Sequence, residues 1–237
     1  MASDLEILEE DWDRALAVVA HPDDLEYGAA SAVARWTDQG KDVRYVLATR
    51  GEAGIDSMAP DVTAPLRTGE QIASAAVVGV ETVEFLDLPD GLLQADIELR
   101  RALAASIRTH RPDVVISISF GERWSPTGPY NHADHRALGI ALIDATRDAA
   151  NRWLFSDAGE PWSGVRWLAF AGPIDATHAV DVTDHIDRGV ESLRCHQTYI
   201  DELGGDFDPD AFLRENGRAA GSAIGVEYAV AFEVVPA

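Results

Sequence analysis

The 237-residue chain holds a single cysteine, Cys195. It therefore forms no intrachain disulfide and builds no thiolate metal cluster, so any metal must be held by histidine and carboxylate. Positive charge is scarce as well: 19 Lys and Arg stand against 41 Asp and Glu, a formal charge of −22. Such a surface repels phosphate backbones and anionic lipid heads, which argues against nucleic acid and membrane surfaces as partners. No apolar run approaches the roughly 18 residues of a bilayer span. The opening MASDLEILEEDWDR is acidic and lacks the basic-then-apolar layout of a signal peptide, and a cytoplasmic location is expected. The glycine fingerprint of dinucleotide-binding turns, GxGxxG, is missing too, which disfavours an oxidoreductase.

An ordinary share of apolar residues, 46%, is present, enough for a buried core. Short β-branched runs alternate with helix-like stretches, the pattern of βαβ units and a mainly parallel sheet. Strands are expected over 16–20, 43–48, 82–86, 114–118, 165–169 and 226–235. Helices are expected over 29–39, 66–78, 97–109, 134–151 and 183–199, the last capped by Thr183 or Asp184. No Pro/Ser-rich linker or repeat divides the chain. In such sheets ligands sit at the carboxyl ends of the strands, so the loops after Ala20, Ala48, Leu86 and Ile118 should share a rim.

Two of those loops carry unusual chemistry. The first strand runs into His21-Pro22-Asp23-Asp24-Leu25-Glu26-Tyr27-Gly28. Pro22 fits the first helical position, which lets His21 and Asp24, three apart, converge while Asp23 projects elsewhere. The plainer reading of the Asp pair is helix capping. After the fourth expected strand, Tyr130-Asn131-His132-Ala133-Asp134-His135 opens another helix, with Asn131 or Asp134 as the plain capping choice. Taken together the two clusters supply two histidines and one carboxylate, His21, Asp24 and His135, a standard set for catalytic zinc with one open position. Asp23 then suits the general base for a water whose pKa the metal lowers to about 7. His132 and Tyr130 are candidates to stabilise an oxyanion or protonate a leaving amine. His110, His178 and His185 lack partners at useful spacing and read as structural residues.

VVAHPDDLEYG followed by H-A-D-H resembles the PIG-L/LmbE-like family of zinc-dependent N-acetylglucosaminide deacetylases. Further segments agree in order: Thr49-Arg50-Gly51-Glu52-Ala53-Gly54, Arg67-Thr68-Gly69-Glu70 with Ala75, Ala76, Gly79 and Val80, Phe85-Leu86-Asp87 to Pro89-Asp90-Gly91, and Arg111-Pro112-Asp113-Val114-Val115. The likeness spans about residues 15–200, with 201–237 as a C-terminal extension. It implies a single Rossmann-like α/β domain over 1–237, its mainly parallel sheet flanked by helices. It further implies one Zn2+ per chain on His21, Asp24 and His135, with other divalent metals as alternatives. Asp23 would be the base, His132 the oxyanion donor or acid, Tyr130 its helper, and Arg67 a contact to the sugar. Glu52 and Asp90 are read as substrate hydroxyl contacts or turn residues. The implied partner is a small-molecule amino-sugar conjugate, with homo-oligomer formation expected from the habit of relatives. Rival readings are an amidase for a larger acyl group on a thiol or antibiotic conjugate, and a catalytically silent sugar-binding or regulatory protein. The sequence departs from the family where Leu25 precedes Glu26, where Ala133 replaces a frequent proline, and where H-x-S-Q becomes His196-Gln197-Thr198-Tyr199. Loops at 55–65, 121–130 and 201–222 are expected to set substrate choice.

Overall fold

The computed structural model describes residues 5–202 and 207–237; residues 203–206, inside the 201–222 stretch expected to shape substrate choice, lie outside the described residues. In chain order the elements are β1 (Glu6–Ile7), β2 (Arg14–Val19), α1 (Asp24–Gly28), α2 (Ala30–Asp38), β3 (Asp42–Leu47), α3 (Pro60–Val77), β4 (Thr82–Phe85), α4 (Ile97–His110), β5 (Val114–Ile118), α5 (Ala133–Ala150), β6 (Trp167–Ala171), β7 (His178–Asp181), α6 (Ile186–Arg194), α7 (Gln197–Glu202), α8 (Pro209–Ile224) and β8 (Ala229–Pro236). The strands join in one sheet, ordered β1-β7-β8-β6-β5-β2-β3-β4. Every pairing is parallel except those of β8, which runs antiparallel to β6 and β7. Among the described residues no helix is long and apolar enough to cross a membrane.

Strands β5 and β6 are buried along their whole length, as expected of parallel strands covered on both faces. Strand β2 divides its side chains by the period of two: Ala15, Ala17 and Val19 join the layer holding Trp36, Val190 and Phe232, and Leu16 and Val18 join the layer of Leu103, Leu138, Leu142 and Phe170. Because β2 pairs β3 on one side and β5 on the other, its carboxyl end is the point where the strand order reverses. The crevice expected there is filled by the His21 and His135 loops.

Several boundaries differ from the sequence reading. The helix expected from Ala29 starts earlier and is interrupted at Ala29 (φ −120°), giving α1 and α2. Pro22 precedes this helix rather than opening it, and Asp23 occupies the N-cap in a left-handed conformation (φ 85°). The helix expected over 66–78 starts earlier, at Pro60, and runs through Pro65. Its buried face, Thr63, Arg67, Gln71, Ser74 and Ala75, sits at helical spacing and anchors both sides of the proline. The stretch 183–199 splits into α6 and α7. His185 rather than Thr183 or Asp184 is the N-cap, because Thr183 is taken by Asp181, which accepts from its backbone N and hydroxyl at 3.0 and 2.7 Å. Strand β6 lies two residues beyond its expected position. The short β1 and β7 and the glycine-containing α8 escaped the sequence reading.

Gly139 lets α5 approach the chain leaving β5. A methyl group there would lie 2.2 Å from Phe120 Cβ, and the Phe120 ring is already packed on Phe170 at 4.6 Å. Gly139→Ala is expected to destabilise the protein by about 1–3 kcal/mol, the usual cost of overpacking, and to disturb His135 one turn away. Denaturant unfolding checks it; an unchanged midpoint would show that α5 can shift without strain.

Candidate active site

At the end of β2 the chain turns so sharply that the Asp24 carboxylate folds back on it. Asp24 Oδ2 accepts from the backbone N of Ala20 (3.0 Å) and of His21 (2.8 Å). Asp24 Oδ1 is left facing away from the turn, 3.0 Å from His135 Nε2. His135 comes from the first turn of α5, and its Nε2 lies 3.1 Å from His21 Nδ1, which is 3.7 Å from the Asp24 carboxylate. All three side chains are buried.

The partners of the two imidazoles decide which nitrogens carry hydrogen. His135 Nδ1 lies 2.9 Å from Asn131 Oδ1. The Asn131 amide is oriented by its own contacts, Nδ2 donating to Ser119 O and Gly121 O and Oδ1 accepting from His132 N. His135 therefore donates through Nδ1, and its Nε2 offers a lone pair. His21 Nε2 faces two carboxylates, Asp90 Oδ1 at 3.1 Å and Asp134 Oδ2 at 3.2 Å, so in the neutral ring it donates there and Nδ1 carries the lone pair. His135 Nε2 thus lies between Asp24 Oδ1 and His21 Nδ1, atoms of the types that ligate a divalent cation. Tetrahedral zinc with bonds of about 2.0–2.1 Å sets its ligand atoms about 3.3 Å apart, close to the 3.0 and 3.1 Å that separate His135 Nε2 from Asp24 Oδ1 and His21 Nδ1. Burial alone would lower the His21 pKa, but Asp24, Asp134 and Asp90 outweigh it and raise it well above the usual value. Asp24 is buried too, yet His135 and His21 hold its carboxyl far below the normal range.

Two sets of ligating atoms that lie within 4.8 Å of one another share His21, one with His132 and His135 and one with Asp90 and Asp134; neither includes Asp24. The carboxylates of the second are already occupied. Asp90 Oδ2 accepts from Ala53 N, and Asp134 accepts from Gly91 N and Leu93 N. They orient His21 and tie the 90–93 turn beneath it. His132 stands edge-on to His21, ring centroids 4.9 Å apart. It caps α5 by accepting from Asp134 N through Nδ1 at 3.2 Å, so in the neutral ring the hydrogen sits on Nε2. Burial, followed by His21 and His135, lowers its pKa and favours that neutral form. Neither Asn131 nor Asp134 is the cap that the sequence suggested.

Asp23 projects away from Asp24, as expected. Its backbone N donates to Gln71 Oε1 (2.9 Å), and its Oδ2 accepts from Arg67 Nη2 (3.1 Å). Arg67 also donates to Pro22 O (2.7 Å) and Gly51 O (3.0 Å), with its guanidinium 4.3 Å from the Tyr199 ring centre. It was expected on the sugar; it lines the cavity and holds Asp23, its side chain only 3% exposed. Burial pushes Asp23 up to about 7 against the opposing pull of Arg67 and His196. Glu52 links loops, accepting from Asp90 N at 2.9 Å and from Arg50 N at 3.3 Å, which is the turn role. Tyr130 is not brought to the group: its ring is exposed and lies under Arg123 at 3.9 Å.

The cavity over these residues is also lined by Trp124 and Tyr199, and Trp124 stands edge-on to His135 at 5.5 Å. Sequence reasoning missed the parts of Gln71, Asn131, Asp134 and Tyr199. Two signals were available: the buried-polar spacing of residues 63, 67, 71 and 74 on α3, and the i,i+4 relation of Asn131 to His135.

The chain matches the family described as PIG-L, GlcNAc-PI de-N-acetylase, over residues 16–146. It is 28% identical over 233 residues to the diacetylchitobiose deacetylase of Thermococcus kodakarensis, covering 95% of this chain and 84% of that protein. It is 32% identical over 254 residues to a 1D-myo-inositol 2-acetamido-2-deoxy-alpha-D-glucopyranoside deacetylase of Kineococcus radiotolerans, covering 79% and 69%. Among solved structures it resembles N,N'-diacetylchitobiose deacetylase from Pyrococcus horikoshii, complexed with its inhibitor MPG, with a TM-score of 0.84 at 26% identity, covering 96% of this chain and 85% of that one.

Proposed function

Starting from the fact that the chain belongs to the PIG-L family of GlcNAc-PI de-N-acetylases, we propose that it is a zinc-dependent hydrolase that removes acetyl from the amide nitrogen of an amino sugar or its conjugate. The observation that carries this reading is the clustering of the Asp24 carboxylate and His21 Nδ1 about His135 Nε2, each residue oriented by a partner behind it, with Asp23 alongside. These three residues would hold one metal ion per chain; a His/Asp set accepts zinc and also other divalent ions. When bound, the ion polarises the amide carbonyl and acidifies water.

The remaining work falls to the protein. Asp23, held at Oδ2 by Arg67, takes the proton of the attacking water, and a carboxyl near 7 is matched to receiving and returning a proton at neutral pH. Water oxygen bonds to the carbonyl carbon, and negative charge grows on the carbonyl oxygen. His132, neutral and hydrogen-bearing at Nε2, donates to that oxygen. The carbon–nitrogen bond then breaks, Asp23 delivers its proton to the nitrogen, and acetate and free amine leave. Arg67 is a positioning residue for Asp23 in this scheme, and Tyr130 takes no part.

The test is acetate release from a panel of N-acetylglucosaminides by protein stripped of metal and then reloaded with zinc. Activity lost on stripping and restored by one equivalent of zinc is expected. One equivalent of bound zinc with no carboxylic acid released from any amide would overturn the reading. His132→Ala should lower kcat about 10²–10³-fold, the usual loss for one oxyanion donor, with zinc content unchanged. Loss of zinc in this variant would instead make His132 a ligand.

A further inference from the structure

Asp23 carries its carboxylate on a left-handed backbone, φ 85°, a region costly for a residue with a Cβ. Such a conformation persists only where the surroundings hold it. Asp23 is the N-cap of α1, yet its side chain makes no bond to that helix. Its holds come instead from one face of α3. Arg67 grips the side chain at Oδ2, and Gln71, one turn further on, accepts the backbone N–H at 2.9 Å.

Gln71 serves only one way round. Its oxygen must face the Asp23 N–H, which sets its NH2 toward Glu26 Oε1 at 3.0 Å. Glu26 Oε1 also accepts from Ser74 Oγ at 2.6 Å, and Ser74 Oγ lies 2.8 Å from Ser192 Oγ on α6. Glu26, Gln71, Ser74 and Ser192 are all buried. Asp23 and Glu26 stand at the N-cap and third residue of α1, where a glutamate ordinarily reaches back to the N-cap N–H itself. Here the Gln71 amide is inserted between the two, and the turn that carries Asp23 is tied to α3 rather than closed on itself.

We infer that Gln71 and Glu26 are positioning residues for the proposed reaction: Glu26 fixes which end of the Gln71 amide faces Asp23, and Gln71 fixes the backbone from which the Asp23 carboxylate is aimed. The inference rests on the hydrolase reading only for what that carboxylate does. With the Gln71 amide reversed, its NH2 would meet the Asp23 N–H, donor against donor. The hold on Asp23 would then fall to Arg67.

Gln71→Met keeps an unbranched buried side chain and removes both bonds. Its kcat should fall about 10–10²-fold, the scale of a misaimed catalytic group, with KM and zinc content within about twofold of wild type. Gln71→Glu sets a carboxylate against Glu26 and should lose at least as much. Adding Glu26→Gln to it returns an amide N–H opposite the new carboxylate, and kcat should recover about tenfold. A role confined to packing would lower the unfolding midpoint without that pairwise recovery. Unchanged kcat in Gln71→Met, or a double variant no faster than Gln71→Glu, overturns the inference, while turnover by the wild type keeps the hydrolase reading. Amide hydrogen exchange reads the same hold without turnover or metal: the Asp23 N–H should exchange at least about tenfold faster in Gln71→Met than in the wild type. Equal rates sink the inference even if no amide is hydrolysed and the hydrolase reading falls. Should neither Gln71 variant fold, the wild-type rate decides: protection matching the α3 amides supports the inference, and exchange as fast as in an open turn overturns it.

Discussion

Asp23→Asn is expected to lower kcat about 10³-fold at neutral pH with zinc still bound, within the 10²–10⁴ range typical of a general base. The substitution keeps the shape of the side chain. Its carbonyl oxygen can still accept from Arg67 Nη2, and the Asp23 backbone N–H to Gln71 is untouched. Proton acceptance is the property removed. Breaking a buried ion pair from one side typically costs about 3–5 kcal/mol. Here the penalty should be smaller, because Arg67 retains Pro22 O, Gly51 O and the face of Tyr199, and because burial was already pushing Asp23 toward its neutral form. The pH profile makes the test specific. With Asp23 at about 7, wild-type kcat/KM should fall tenfold per unit as pH drops below that point, since only the carboxylate accepts a proton. The variant should lack this limb. Turnover above a tenth of wild type, measured with one zinc bound, would remove Asp23 from the role of base.

What could be read from sequence divides along the range of the interactions involved. Strands β2, β3 and β5 were legible because strands covered on both faces are written as apolar runs, and β5 was found at its observed ends. The meeting of His21 and Asp24 with His135 was expected because each cluster is local to one strand-to-helix turn at the same rim of the sheet. The contact of Arg67 with Asp23 was not legible: its acidic partner lies 44 residues away, and nothing in its sequence neighbourhood points to a guanidinium that holds a carboxylate. Asp134 looked like a helix cap, as acidic residues in first turns usually are. Its actual partners, His21, Gly91 and Leu93, come from loops that only the completed sheet brings under α5. The break at Ala29 and the left-handed Asp23 were invisible for a related reason. Asp23 is held by Arg67 and Gln71 from α3 rather than by its own helix.

Asp24→Asn and Asp134→Asn, the same exchange at carboxylates beside opposite nitrogens of the His21 ring, should differ greatly in their effect on zinc. At Asp24 the side chain faces two backbone donors, Ala20 N and His21 N. An asparagine must turn its carbonyl oxygen toward them, which leaves its NH2 where Asp24 Oδ1 now lies 3.0 Å from His135 Nε2. A donor with no lone pair then replaces an anionic ligand, and flipping the amide would set NH2 against two N–H groups. Neither orientation binds a cation. At Asp134 the oxygens accept from three donors, His21 Nε2 and Gly91 N at one and Leu93 N at the other. Asparagine can keep its oxygen on the first two and give up only Leu93. His21 stays oriented, helped by Asp90 at 3.1 Å, although its acceptor has lost charge. Zinc affinity in Asp134→Asn should accordingly fall by about 10–100-fold, the usual effect of an outer partner. Asp24→Asn should lose far more and purify without metal. Competition with a chelator of known affinity measures both. Equal losses would move the ion to the other side of the His21 ring, among Asp90 and Asp134, and with it the whole assignment of which carboxylate binds and which one orients.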